Sequence, residues 1–205
     1  MIKKISLFSL LTSFSMFSQI HERGQIEVSP FVGVISSNLY GDVGIVNYST
    51  ENVYFGANVD YYLNNRWSIR SGIEYQAMGN EGGWLFFYNS AVQDIDFIGV
   101  PLHANWHFGG SRKWNLNFGP TLNFLTSAKL NGVDNKNNIN SFQAGLGFGI
   151  GYKFYINETI SIGIDHQEYI SFSNNLKNNN GNFVGNYFGA FSVKGIFRLG
   201  ETKAK

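Results

Sequence analysis

The chain has no cysteine, which removes disulfide frameworks, thiolate zinc sites, a cysteine nucleophile and the acylated cysteine of a lipoprotein anchor. Charge is sparse as well. Lys and Arg number 15 against 14 Asp and Glu, a net charge of +1, and no long run of one sign occurs. A nucleic-acid surface therefore has no electrostatic footprint here and is not expected. Past the N-terminus, no uninterrupted apolar window reaches the roughly 18 residues of a membrane-spanning helix. Proline is confined to Pro30, Pro101 and Pro120.

Glycine, with 24 residues, and aromatic side chains, at 17%, are abundant. The two are interleaved, which suits strands whose faces meet different surroundings. Ahead of them stand Lys3 and Lys4, then an apolar stretch from Ile5 to Phe17. That pattern predicts a secretory signal peptide over residues 1–18, cleaved after Ser18. A barrel domain over 19–200 and a charged periplasmic tail over 201–205 complete the expected organisation.

From Gln25 onward the governing signal is alternation with period two, which puts successive side chains of a strand on opposite faces. Val53, Phe55, Ala57, Val59, Tyr61 and Leu63 share one face, and Tyr54, Gly56, Asn58, Asp60 and Tyr62 the other. The pattern recurs from Trp67 to Ala77, Phe97 to Phe108, Trp114 to Phe124 and Phe142 to Ile156. A first strand at Ile26 to Ile35, a seventh at Thr159 to Ser171 and an eighth at Asn186 to Leu199 bring the count to eight.

Connection lengths add independent information. Tight turns at Asn64 to Arg66, Gly109 to Lys113 and Asn157 to Glu158 alternate with long connections at Ser36 to Asn52, Gly79 to Ile95, Lys129 to Ser141 and Phe172 to Gly185. That rhythm predicts an all-β fold, an eight-stranded antiparallel up-and-down transmembrane β-barrel in a Gram-negative outer membrane, with long loops outside and both termini periplasmic. Trp67, Trp106, Trp114, Tyr61 and Phe108 fall beside the short turns, where they predict an aromatic girdle.

A soluble, lipocalin-like ligand binder shares the periodicity but turns its polar face to water. Here the small face is rich in Gly, Asn and Ser and carries charges of both signs: Asp60, Arg70, Glu74, Lys153, Asp165, Lys194 and Arg198. Directed inward, these pair within a narrow lumen. Lys194 and Arg198 are expected to meet Asp60, Glu74 or Asp165. His103 and His107 join that lumen as hydrogen-bonded residues, since Asn105 between them and the want of a third clustered ligand disfavour a metal pair. No cofactor or metal is expected, and an eight-stranded interior has room for side chains only, so solute conduction is not expected.

His166 and Glu168 fall on the face that should point outward. A bulge in the seventh strand that turns both inward and brings Tyr169 outward is the expected resolution. A catalytic reading, as a lipid A deacylase or acyltransferase, lacks a Ser on the same face. Trp84, Phe86, Phe87 and Tyr88 form an aromatic patch in the second long loop, a candidate contact surface. The expected partners are outer-membrane lipid and another envelope protein, the chain being a monomer.

Four segments resemble the PorT-like outer-membrane β-barrel family: Phe97-Ile98-Gly99-Val100-Pro101-Leu102, Phe118-Gly119-Pro120-Thr121-Leu122, Ala144 through Tyr152, and Gly195-Ile196-Phe197-Arg198-Leu199. The resemblance spans the whole mature chain. It implies a small outer-membrane barrel, in some relatives accessory to a secretion system; the role expected of the chain is structural or interaction-based, through its long outer loops. Mid-strand prolines cannot donate to the ladder, so Pro30, Pro101 and Pro120 are expected at bulges or kinks.

Overall fold

The computed structural model describes residues 21–42, 45–84, 91–178 and 181–199. Eight long strands run antiparallel: β1 (Ile26–Gly41), β2 (Ile45–Tyr62), β3 (Trp67–Trp84), β4 (Ala91–Phe108), β5 (Trp114–Leu130), β6 (Phe142–Tyr155), β7 (Ile160–Ser171) and β8 (Val184–Leu199). Each pairs with its chain neighbours, and β8 pairs with β1, so the sheet closes into an up-and-down barrel without edges. A two-residue segment, Val133–Asp134, pairs back on the end of β5. The predicted signal peptide and the tail at 201–205 lie outside the described residues.

The alternation resolves into an inside-out barrel. Large apolar side chains face outward, with Phe118 52% and Ile73 63% exposed, while Asp60 is 1% exposed inside. A soluble barrel would reverse that assignment. Trp67, Trp106, Phe108, Trp114, Tyr152 and Phe154 form a continuous chain of ring contacts, with centroids 4.8–6.2 Å apart, around the end that carries the short turns. Four of the five residues predicted for the girdle, Trp67, Trp106, Phe108 and Trp114, are in this chain, and Tyr152 and Phe154 extend it, while Tyr61 stands outside it.

The ladder also sets heights. Stepping across paired residues from Trp114 through Tyr152, Ile164, Val193, Val32, Phe55, Tyr75 and Ile98 leads back to β5 at Phe124, ten residues above the start. A shear of ten over eight strands, at about 3.3 Å per residue and about 4.8 Å between strands, sets a tilt of roughly 40°. Each residue then climbs about 2.5 Å, so the outward apolar band from Trp114 to Phe124 is about 25 Å tall, as outer-membrane barrels require.

Two expectations change. Strands run past the band, so much of the connections expected at Ser36 to Asn52 and Gly79 to Ile95 is strand. Above the band the outer face meets polar surroundings, so the period-two signal fades while backbone pairing continues. The prolines produce no register shift: Pro30 faces Ala57, Pro101 faces Thr121 and Pro120 faces Leu146 in unbroken register. Each interrupts only the ladder on its other side, for two residues, because the missing N–H faces one neighbour. The shifts that do occur lie between Ser49 and Tyr54 and at Asp96 and Phe97.

The lumen is filled. Near the loop end Phe31, Ile35, Tyr54, Met78, Ile95, Phe97, Tyr169 and Phe188 pack into an apolar core. The connection after β5 drops Ile139, fully buried, onto that core, and a bridge to Leu176 of the connection after β7 holds it there. Backbone bonds from Asn140 N–H to Asn175 C=O (2.8 Å) and Lys177 N–H to Asn138 C=O (3.0 Å) tie the two connections together.

Candidate functional site

The turn-end half of the lumen holds a polar network. Asp60 is its hub, accepting from Arg70 Nε (3.2 Å) and Nη2 (3.1 Å), Ser68 Oγ (2.9 Å) and Asn105 Nδ2 (2.8 Å). Arg70 Nη1 continues to Asp165 Oδ2 at 3.1 Å, and Lys194 Nζ donates to the same oxygen. Below them Lys153 Nζ donates to Glu27 and to Tyr62 Oη (2.7 Å), whose hydroxyl donates to Glu27 Oε2 (2.9 Å). His21 bonds Glu27 Oε1 at 2.8 Å and stacks on the Tyr62 ring, 4.1 Å between centroids, closing the turn end. The glycine run on β6 makes room: a Cβ at Gly151 would stand 1.8 Å from Asp165 Oδ1.

The structure places Asp60, Arg70, Glu74, His103, His107, Lys153, Asp165 and Lys194 inside the barrel, all buried. His103 meets Asn117 and Thr121 (2.9 Å each) and His107 meets Ser68 (2.9 Å), so the two imidazoles serve separate partners. Among the described residues no group of three His, Asp or Glu could hold a metal. Glu74 takes a hydrogen bond from Gln76 (3.3 Å). Arg198 departs from expectation: it reaches His21 (3.3 Å), not Asp60, Glu74 or Asp165, because it sits at the turn end, below those carboxylates. Sequence reasoning missed His21, Glu27 and Tyr62 as network members. Glu27 was detectable, since it shares inward parity with Ser29 and Phe31. Trp84 ends β3, and Phe86, Phe87 and Tyr88 lie outside the described residues.

The expected bulge in β7 is absent. Its register runs unbroken on both sides, so Tyr169 points inward and is buried, while His166 and Glu168 face outward. His166 Nε2 meets Glu168 Oε1 at 2.7 Å, Tyr187 Oη donates to Glu168 Oε2, and the His166 side chain is 49% exposed. Gly189 lies opposite Glu168 on β8, where a Cβ would stand 3.2 Å from the carboxylate. Ile164 and Ile170 lie below and above on β7, with Phe148 and Ile150 on one side and Phe191 on the other. Placed by the ladder, His166 stands about 11 Å and Glu168 about 16 Å above Trp114, mid-height in the ~25 Å band. Polar groups on the lipid face are costly near the midplane, so the hydrogen bonds among His166, Glu168 and Tyr187 offset part of that cost.

The barrel shape recurs in known proteins. The outer membrane protein OprG from Pseudomonas aeruginosa superposes with a TM-score of 0.55 at 13% identity, over 88% of this chain and 98% of that one. AlkL, solved in lipid bilayers, gives 0.55 at 10% identity over 90% and 94%, and Neisserial surface protein A gives 0.50 at 15% over 85% and 97%. At such identities what is shared is the fold. No curated protein matches by sequence. A family model described as outer membrane protein beta-barrel domain matches residues 17–177, well over half the chain; the chain belongs to that family of outer-membrane β-barrels.

Proposed function

We propose that this protein acts in the outer membrane as a structural or interaction protein, with its long loops outside, its termini in the periplasm and its lumen serving as ballast. The observation that carries the reading is the filled lumen: an ion-pair network below, an apolar core above, and Ile139 with Leu176 across the mouth. A barrel without a conduit works through its loops and its outer wall. The PorT-like resemblance adds a role accessory to secretion or envelope assembly, with another envelope protein as partner. A lipid-modifying role has less support, because the outward His166–Glu168 pair stands far from the edge of the band, where acyl linkages of lipids lie.

The test combines placement and contact. An epitope inserted at Asn178, in the connection after β7, should bind antibody on intact cells, and shortening that connection should abolish co-purification of an envelope partner. Steady solute conductance through the purified barrel in planar bilayers would refute the reading.

A further inference from the structure

The outer wall of β6 to β8 carries a polar island of His166, Glu168 and Tyr187, the last donating to Glu168. His166 and Glu168 sit near mid-height among the apolar Phe148, Ile150, Ile164, Ile170 and Phe191, whereas the hydrogen-bonding groups of bilayer lipids lie at the edges of the band, about 10 Å away. Nε2 of His166 is committed to Glu168, and the half-exposed ring retains Nδ1 as a donor or acceptor directed away from that pair. Ionisable groups at such depth characteristically pair with protein.

We propose that this face is a dimer interface, and that its occupant is a second copy of this chain. Two copies inserted in the same sense are related by a two-fold axis along the membrane normal, which keeps every residue at its own height. Island therefore meets island. The island is self-complementary, because each copy brings an imidazole and a carboxylate. In the dimer His166 of one copy donates to Glu168 of the other in place of its own, so the bonds are exchanged across the axis and, with the Tyr187 hydroxyls, are withdrawn from lipid. The wall is shaped for close approach: Gly189 leaves β8 low beside Glu168, as small residues do where elements meet inside membranes. Beneath His166 a groove of about 440 Å³, lined by Trp114, Ile150, Tyr152, Phe154, Ile164 and Phe191, leaves a recess for side chains of the second copy. A dimer at this wall would replace the monomer expected from sequence.

The absence of cysteine makes the test clean. The full chain is refolded into phosphatidylcholine vesicles with a single cysteine, either Ile164→Cys beside the island or Ile73→Cys on the β3 wall, and oxidised. Ile164→Cys should give a disulfide-linked dimer and Ile73→Cys at least tenfold less. Adding His166→Leu or Glu168→Leu to Ile164→Cys should cut the dimer at least tenfold, while the unboiled gel shift shows that the barrel is still folded. Equal cross-linking at both walls, a monomer with Ile164→Cys, or a dimer indifferent to His166→Leu in folded protein would each overturn the proposal.

Discussion

The two halves of the lumen solve one packing problem with opposite chemistry. At the turn end six charged side chains are each at most 4% exposed and fall into two ion-paired sets, Lys153 with Glu27, and Arg70 and Lys194 with Asp60 and Asp165. At the loop end the same cross-section is filled by Phe31, Ile35, Phe97, Tyr169 and Phe188. Charges in a narrow interior are tolerated only as a complete set, since each one stripped of its partner keeps its desolvation cost. Apolar side chains carry no such obligation, yet they need a roof, which Ile139 and Leu176 supply. The lower half should therefore fail abruptly when one member is removed, and the upper half in proportion to the volume lost.

The largest effect should come from Asp165→Leu, which strips both Arg70 and Lys194 of a carboxylate. Unfolding by urea in vesicles should show a loss of about 3–5 kcal/mol. Adding Lys194→Met should recover a good part of it, because Arg70 still holds Asp60; no recovery would mean that the network is not a charge-matched set. Next, Phe188→Ala removes a ring stacked on Tyr169 at 5.0 Å in the upper half. It should cost about 3 kcal/mol through the cavity it opens. An abrupt failure to fold would erase the contrast between the halves.

The outer wall extends the comparison with smaller numbers. Phe191→Arg, near mid-height, should cost about 2 kcal/mol, whereas Phe197→Arg at the girdle should cost about 1 kcal/mol or less. Equal costs would show the heights derived from the shear to be wrong. Smallest of all, deletion of residues 201–205 should leave the heat-modifiable gel shift unchanged, since that charged segment follows the closing strand.

Strand count, strand polarity and inward or outward assignment were legible in the sequence because period two is a local property: each residue's face follows from its neighbour's. Val53 to Leu63 declares its oily face without reference to any other strand. The lumen residues could be named for the same reason. Which of them meet could not be read, for Arg70 and Asp165 are 95 positions apart and touch only through closure. Closure fixes the shear, and the shear fixes the tilt and every height. It also decided His166 and Glu168. Hydrophobicity alone argued for a bulge to turn them inward, but a bulge in β7 would break register with β6 and β8 along eleven paired positions on each side. Two polar groups facing outward, bonded to each other and to Tyr187, were the smaller cost.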